Sequence, residues 1–233
     1  MAGETVKTLA ICLAIRPWSR TSHVVWWLTP HGRVATVVKG AVRPKSQFLG
    51  QYDLNYTCEI LYYARGKGEL HALRECSPLD GRERLRGDYR ALIVADYFRR
   101  LVSELAPAGE DCRRWYELLG ERLDGLSGAY LRDLLSFELE VLRLAGLAPD
   151  LSGYDPAQAW QPFNVADGSF AADGGEGRQI RLSREVTEFL RNPSGEVRDP
   201  KIPLDAARAI GVFYSFHLDC ASEARRAVLR MIS

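Results

Sequence analysis

The chain has 233 residues, of which 46% are apolar and 26% charged, and its formal net charge is +1. This length is enough for one large domain or two small ones with a buried core. The composition excludes a disordered, collagen-like or disulfide-scaffold protein, and no apolar run reaches the roughly 20 residues that span a bilayer. The short apolar segment at residues 8–15 lacks a cleavage site, so we interpret it as a strand rather than a signal peptide.

Short β-strands dominate the first 75 residues. Segments rich in β-branched and aromatic residues recur between turn signals such as Pro30-His31-Gly32. Five short antiparallel strands in so short a segment predict a small closed barrel. The strands are expected over residues 7–15, 22–28, 32–38, 50–63 and 69–74.

The pattern changes near Pro78, after which apolar residues recur at helical spacing. We therefore expect an α+β protein with a barrel over residues 1–78 and an α-helical domain over residues 79–233. A segment rich in Gly, Asp and Pro at residues 151–182 is expected to form loops and hairpins, with turns at Asp167-Gly168 and Asp173-Gly174. Helices are expected over residues 89–105, 115–126, 130–144, 183–191, 204–218 and 222–231.

Positive charge is concentrated near the N terminus. No acidic residue lies between Glu4 and Asp53, and residues 1–80 carry a net charge of +4 against −3 for the remainder. Such asymmetry in a nearly neutral chain indicates a patch that binds polyanions, although a merely solubilising surface is the simpler alternative. The cations between the two acids are Lys7, Arg16, Arg20, Arg33, Lys39, Arg43 and Lys45.

The sequence KGAVRPKS at residues 39–46, which we call the basic loop, follows a predicted strand. Its three cations, Lys39, Arg43 and Lys45, are spaced to meet successive phosphates, and each phosphate that they neutralise releases counterions. Aromatic residues of the same domain are candidates for stacking on unpaired bases. A place in the core is nevertheless the favoured interpretation for any one of them: Trp18, Trp26, Trp27, Tyr52 and Tyr56.

One carboxylate occupies an unusual position. Glu138 lies in the middle of the apolar face of the helix expected over residues 130–144. Because a buried carboxylate needs a cation or hydrogen-bond donors, we expect Glu138 to be a structural buried charge paired with an arginine, lysine or tyrosine of another helix. Asp133 and Glu140 lie on the polar face, so the three carboxylates do not converge as an acid–base or metal cluster.

These motifs together resemble the RecO family of bacterial recombination mediators. The basic loop is the most specific of the matching segments. The resemblance is good over residues 8–105, extends to residue 150 and fades beyond it. The matching segments are RPWSRTS at 16–22, LT at 28–29, HG at 31–32, the basic loop, LG at 49–50, FEL at 137–139 and GLAP at 146–149.

The resemblance implies an OB-fold barrel followed by a helical domain. It further implies binding of single- and double-stranded DNA, annealing of complementary strands, and recombinase loading with RecR. The C-terminal tail of single-stranded DNA-binding protein is implied as a second partner. It implies no catalysis. The scattered, unpaired cysteines fit reduced thiols in a cytoplasmic protein, and no membrane partner is expected. The implied DNA-binding residues are Lys39, Arg43 and Lys45 and, on less specific matches, Arg16, Arg20 and Arg33.

Two other functions stay open at this point. An RNA-binding barrel would use the same cations and aromatic residues, and its binding would depend on the 2′-hydroxyl group. A metal-dependent nuclease would need Asp133 and Glu140 to meet further acids in a pocket.

The cysteine content of residues 150–182 leads to a testable prediction about zinc. Many family members hold zinc with two cysteine pairs after the Gly-x-x-Pro segment, whereas residues 150–182 of this chain contain no cysteine. Because structural zinc sites draw four ligands largely from Cys and His, we expect no cofactor and predict no stoichiometric zinc in the purified protein. Metal analysis of protein purified without chelators checks this, and a result of one zinc per chain would contradict it.

Overall fold

The computed structural model describes residues 4–66, 70–108, 111–171, 176–197, 199–218 and 222–232. It confirms the α+β class, because five N-terminal strands close into an OB-like barrel and helices predominate after it. The strands of the barrel are β1 (Thr5–Ser19), β2 (Ser22–Thr29), β3 (Gly32–Val38), β4 (Thr57–Tyr63) and β5 (His71–Asp80).

The barrel has the strand order β1-β2-β3-β5-β4, with β4 pairing back onto β1. All these neighbours are antiparallel except β3 and β5, which run parallel with Thr36 opposite His71. The expectation of a purely antiparallel barrel is therefore wrong at this contact. The reason is parity, since a closed ring with an odd number of strands cannot alternate direction all the way round.

Strand β4 is shorter than the segment 50–63 that was expected. Gly50 and Asn55 have φ values of 74° and 66°, which an extended strand does not permit. Residues 50–56 instead form a loop tied to β1, where Asn55 N donates to Cys12 O at 3.1 Å and Cys12 N donates to Tyr56 O at 2.9 Å. The alternating pattern of this segment thus reflects a loop packed on the barrel.

The barrel interior is apolar and includes three thiols. Trp27 is fully buried, and its Nε1 donates to Thr36 Oγ1 at 2.8 Å. Burial raises the pKa of Cys12, and a hydrogen bond with the Cys58 thiol together with burial raises the pKa of Cys76. Cys12 and Cys76 therefore stay protonated at neutral pH and are chemically unreactive.

Helices α1 (Glu83–Arg86), α2 (Tyr89–Leu105) and α3 (Arg113–Asp124) complete a first compact unit, Met1–Gly125. Its end lies well beyond the boundary expected at residue 78, because these helices pack on the barrel. Arg99 lies on the face of α2 that is polar in sequence, but it is 6% exposed and donates to Leu13 O of β1 and to Asp96. The buried guanidinium therefore fastens α2 to the barrel.

The second unit, Leu126–Ser233, contains the segment expected to be rich in hairpins. That segment forms a small three-stranded sheet in which the first strand along the chain pairs with the other two, with the expected turn at Gly168, where φ is 67°. The turn expected at Asp173-Gly174 lies outside the described residues. No helix in the described ranges is long and apolar enough to cross a membrane. The elements are α4 (Tyr130–Leu144), β6 (Trp160–Asn164), β7 (Ser169–Phe170), β8 (Gln179–Ser183), α5 (Arg184–Arg191), α6 (Lys201–His217) and α7 (Ser222–Ile232).

A buried ion pair lies at the centre of this unit. Glu138 of α4 is fully buried, as its place on the helix predicts, and its partner is Arg225 of α7. Arg225 Nε and Nη2 donate to the two carboxylate oxygens at 2.7 and 2.9 Å, and Nη2 also donates to Ala207 O of α6 at 2.9 Å. Tyr214 Oη donates to Glu138 O at 3.0 Å. One guanidinium thus joins three helices.

We predict that Glu138→Gln strongly destabilises the protein. The substitution leaves the Arg225 charge buried without its counter-ion, which commonly costs about 3–5 kcal/mol. Urea unfolding followed by circular dichroism measures the loss. Glu140→Gln is the matched control, because Glu140 forms a half-exposed pair with Arg143 on the same helix, and such pairs contribute less than about 1 kcal/mol. Equal midpoints for Glu138→Gln and the parent would refute the prediction.

Candidate nucleic-acid interface

The turn between β1 and β2 lies beside the basic loop. We call residues 16–21 the hairpin tip. Val42 N donates to Thr21 O at 3.3 Å, and Gly40 N donates to Ser22 Oγ at 3.2 Å. His23 at the start of β2 pairs with Val38 at the end of β3, so the basic loop leaves the barrel at the same end. Two segments that both carry cations therefore share one surface.

The basic loop is an ordered series of turns. Gly40 has a φ of 68°, which favours glycine, and an added Cβ there would lie 3.3 Å from Arg43 Cδ. Arg43 N donates to Gly40 O at 3.1 Å, and Ser46 N donates to Arg43 O at 2.9 Å. Ala41 inside the loop and Phe48 just after it are buried in the barrel core. The cations between them therefore project from a fixed backbone.

The cations of this surface face solvent. Lys39, Arg43 and Lys45 of the basic loop and Arg20 of the hairpin tip are exposed, and no ion pair among the described residues includes any of them. Arg16 is also exposed, with its guanidinium carbon 5.5 Å from the centre of the Trp26 ring. This arrangement leaves all five cations open to anionic ligands.

Two other basic residues of the N-terminal stretch do not join this surface. Arg33 is the second residue of β3, six residues and about 20 Å of strand away from Lys39. Its guanidinium donates to Ser103 O of α2, and its buried Nε has no hydrogen-bond partner among the described residues. We therefore assign Arg33 to packing rather than to DNA binding. Lys7 pairs with Glu59 at 2.8 Å, and the hydrogen bond to that carboxylate raises the pKa of Lys7.

The five aromatic candidates for base stacking differ in how much of each side chain is exposed. Trp27 is in the core, and Arg16 covers Trp26. Tyr52 meets Trp27 edge-on and forms a 2.9 Å hydrogen bond with His23, and burial raises the Tyr52 pKa so that the hydroxyl stays protonated. Tyr56 is half-buried and accepts a hydrogen bond from Arg86. Trp18 differs from these four, because it is 62% exposed.

The acids that a nuclease would need are separated. Asp133 accepts hydrogen bonds from Ser127 N and Oγ at 3.1 Å, and Glu140 pairs with Arg143. Within the described part of the chain, no three His, Cys, Asp or Glu side chains gather in a group that could hold a metal ion. The two carboxylates are thus engaged in local contacts two helical turns apart.

The architecture is that of a protein with an N-terminal OB-like barrel and a following helical region. The family model described as recombination protein O N terminal matches residues 1–82, and the one described as recombination protein O C terminal matches residues 86–154. These two matches agree with the position of the barrel and of the first helices after it.

Individual relatives are named DNA repair protein RecO. The one from Rhodopirellula baltica is 30% identical over 216 residues, covering 85% of this chain and 78% of the relative. The one from Stenotrophomonas maltophilia strain K279a is 34% identical over 179 residues, covering 76% and 72%. A match to the relative from Roseiflexus sp. strain RS-1, at 31% identity, spans 53% of that protein. This chain therefore belongs to the RecO family of DNA repair proteins.

We predict that replacing Lys39, Arg43 and Lys45 together with alanine weakens DNA binding without unfolding the protein. The three side chains are exposed, and such substitutions usually change stability by only about 0.5 kcal/mol. Three lost phosphate contacts should reduce the slope of log affinity against log salt by about 2 on single strands and by about 3 on duplex. Fluorescence anisotropy over a salt titration measures both slopes.

The matched control removes three exposed charges from the second unit, at Arg178, Lys201 and Arg226. This variant changes the net charge equally and should keep the parent's slope. If both triple variants shift the slope alike, binding follows net charge rather than this surface. If neither does, the basic loop does not contact DNA.

Proposed function

We propose that this protein is a DNA-binding recombination mediator that acts without catalysing a reaction. In this proposal it binds single- and double-stranded DNA through the hairpin tip and the basic loop, promotes annealing of complementary strands, and assists recombinase loading together with RecR. The C-terminal tail of single-stranded DNA-binding protein is proposed as a second protein partner. Its place of action would be the cytoplasm.

The observation that carries the proposal is the gathering at one end of the barrel of five exposed cations that form no ion pair with any described residue. Lys39, Arg43 and Lys45 come from the basic loop, while Arg16 and Arg20 come from the hairpin tip. The backbone of DNA presents closely spaced negative charges, and its binding is driven largely by counterion release. Membership in a family of DNA repair proteins supports DNA as the polyanion.

The same surface offers a physical route to annealing. Two complementary strands repel each other through their phosphates, and this repulsion slows the first encounter. Cations that neutralise the phosphates of one strand reduce the repulsion that the second strand meets. Because phosphate contacts carry no direct base information, the effect should be similar for every sequence.

The test is an annealing assay with the full chain. Complementary oligonucleotides carrying a fluorophore and a quencher are mixed with the parent protein, with the triple variant of the basic loop, or with the control variant of the second unit. The parent and the control should accelerate annealing over the spontaneous rate, and the basic-loop variant should lose most of the acceleration. Two further arms use strands coated with single-stranded DNA-binding protein, with and without RecR.

The outcomes separate the proposal from its alternatives. Binding without faster annealing would remove the mediator function and leave a simple DNA-binding protein. Tighter binding to RNA than to DNA of the same sequence would favour the RNA-binding alternative, because the 2′-hydroxyl group distinguishes the two ligands. Strand cleavage in the presence of Mg²⁺ that persists after repeated purification would contradict a non-catalytic role.

A further inference from the structure

We propose that Trp18 is a stacking platform for an unpaired DNA base and gives this surface a preference for single strands over duplex. This inference rests on the proposed function, because it deepens the role of the same surface. It assigns the hairpin tip two tasks, with the cations holding phosphates and the indole holding a base.

The first support is the exposure of the indole. Trp18 is 62% exposed, whereas Trp27 is fully buried and Trp115 is 6% exposed. In the described part of the chain, no hydrogen bond or ring contact involves the Trp18 side chain. Exposure alone is common for a single surface aromatic residue, but it leaves the indole of Trp18, unlike those of the two buried tryptophans, free to contact a ligand.

The second support is the backbone at this position. The pairing of β1 with β2 shifts register between Pro17, which faces His23, and Ser19, which faces Ser22. Trp18 lies within this irregularity and has no cross-strand partner. Irregularities of this kind re-aim a side chain and are over-represented at the rims of barrels and next to active sites.

The third support is the charge around the indole. Arg16 and Arg20 flank Trp18 in the chain, and the basic loop is hydrogen-bonded to Thr21 at the end of the same hairpin tip. A positive surface that follows the phosphates, combined with an aromatic ring for the bases, is the usual arrangement of single-strand binders. Only an unpaired strand can offer a free base face to the ring, so the indole favours single strands.

The test compares Trp18→Ala with Trp18→Phe and with Trp160→Ala, using the full chain. Trp160 is the matched control because it is 58% exposed but belongs to the second unit. Three probes are used: a thymidine oligonucleotide, an abasic strand of the same length, and a duplex. Trp18→Ala should bind the thymidine strand about tenfold more weakly. Its duplex affinity and its salt slope should stay unchanged.

The abasic strand separates stacking from a structural role. The parent should bind the thymidine strand more tightly than the abasic strand, and Trp18→Ala should bind both equally. Trp18→Phe should keep part of the discrimination, and Trp160→Ala should keep all of it. Equal binding of both strands by the parent would overturn the proposal, as would unchanged thymidine-strand binding by Trp18→Ala, which would point to a protein partner for the indole.

This result is independent of the basic-loop experiment. If the basic-loop variant loses its salt slope while Trp18→Ala behaves like the parent, DNA binding stands and the stacking role fails. If the parent binds no DNA at any salt concentration, the proposed function itself fails.

Discussion

The anchoring of the basic loop to the barrel core is the interaction on which the rest of the functional account depends. Burial of the Phe48 side chain contributes about 1.5–3 kcal/mol to the stability of the folded loop. Ordering the backbone costs about 1–2 kcal/mol of conformational entropy per residue, so this burial offsets the ordering of only one to three residues. The hydrogen bonds from Val42 to Thr21 of the hairpin tip and from Gly40 to Ser22 at the start of β2 are therefore needed as well. Together these contacts fix a polar, highly charged segment that would otherwise be mobile, and a fixed array of cations binds a polyanion at a lower entropic cost.

The second unit depends on a different type of interaction. The guanidinium of Arg225 joins α4, α6 and α7, and it comes so close to α6 that an added Cβ at Gly211 would lie 2.5 Å from Arg225 Nη1. Glycine inside a helix costs roughly 0.5–1 kcal/mol relative to alanine. Glycine is nevertheless required at position 211, because any side chain there would clash with the Arg225 guanidinium. A glycine that would weaken an isolated helix thus makes the buried ion pair possible.

Much of the fold could be predicted from the sequence because its signals are local. The periodicity of residues 89–105 and 130–144 gave the limits of α2 and α4, and the apolar position of Glu138 indicated its burial. What failed depends on tertiary packing. Arg99 lies on a face that is polar by sequence, yet the barrel backbone accepts its hydrogen bond and buries it. The segment before β4 alternates like a strand, but its loop conformation follows from contacts with β1.

The candidate DNA-binding surface was likewise only partly predictable from the sequence. The basic loop stood out in the sequence because Lys39, Arg43 and Lys45 are close together and no acid is near them. Arg33 has the same charge and lies in the same acid-free stretch, and only its contact with Ser103 of α2 shows that it belongs to the packing. Trp18 resembled four other aromatic residues until its exposure was known. Sequence therefore identifies which residues are basic or aromatic, and the fold decides which of them reach a ligand.

The most direct test of the account is a lysine footprint. The chain has only five lysines, Lys7, Lys39, Lys45, Lys67 and Lys201, so mass spectrometry can follow each one after brief acetylation of the full chain. A saturating single-stranded oligonucleotide should protect Lys39 and Lys45 and leave Lys7 and Lys201 as reactive as in the free protein. Undiminished acetylation of Lys39 and Lys45 in the DNA-bound protein would contradict the central claim that the basic loop holds the strand.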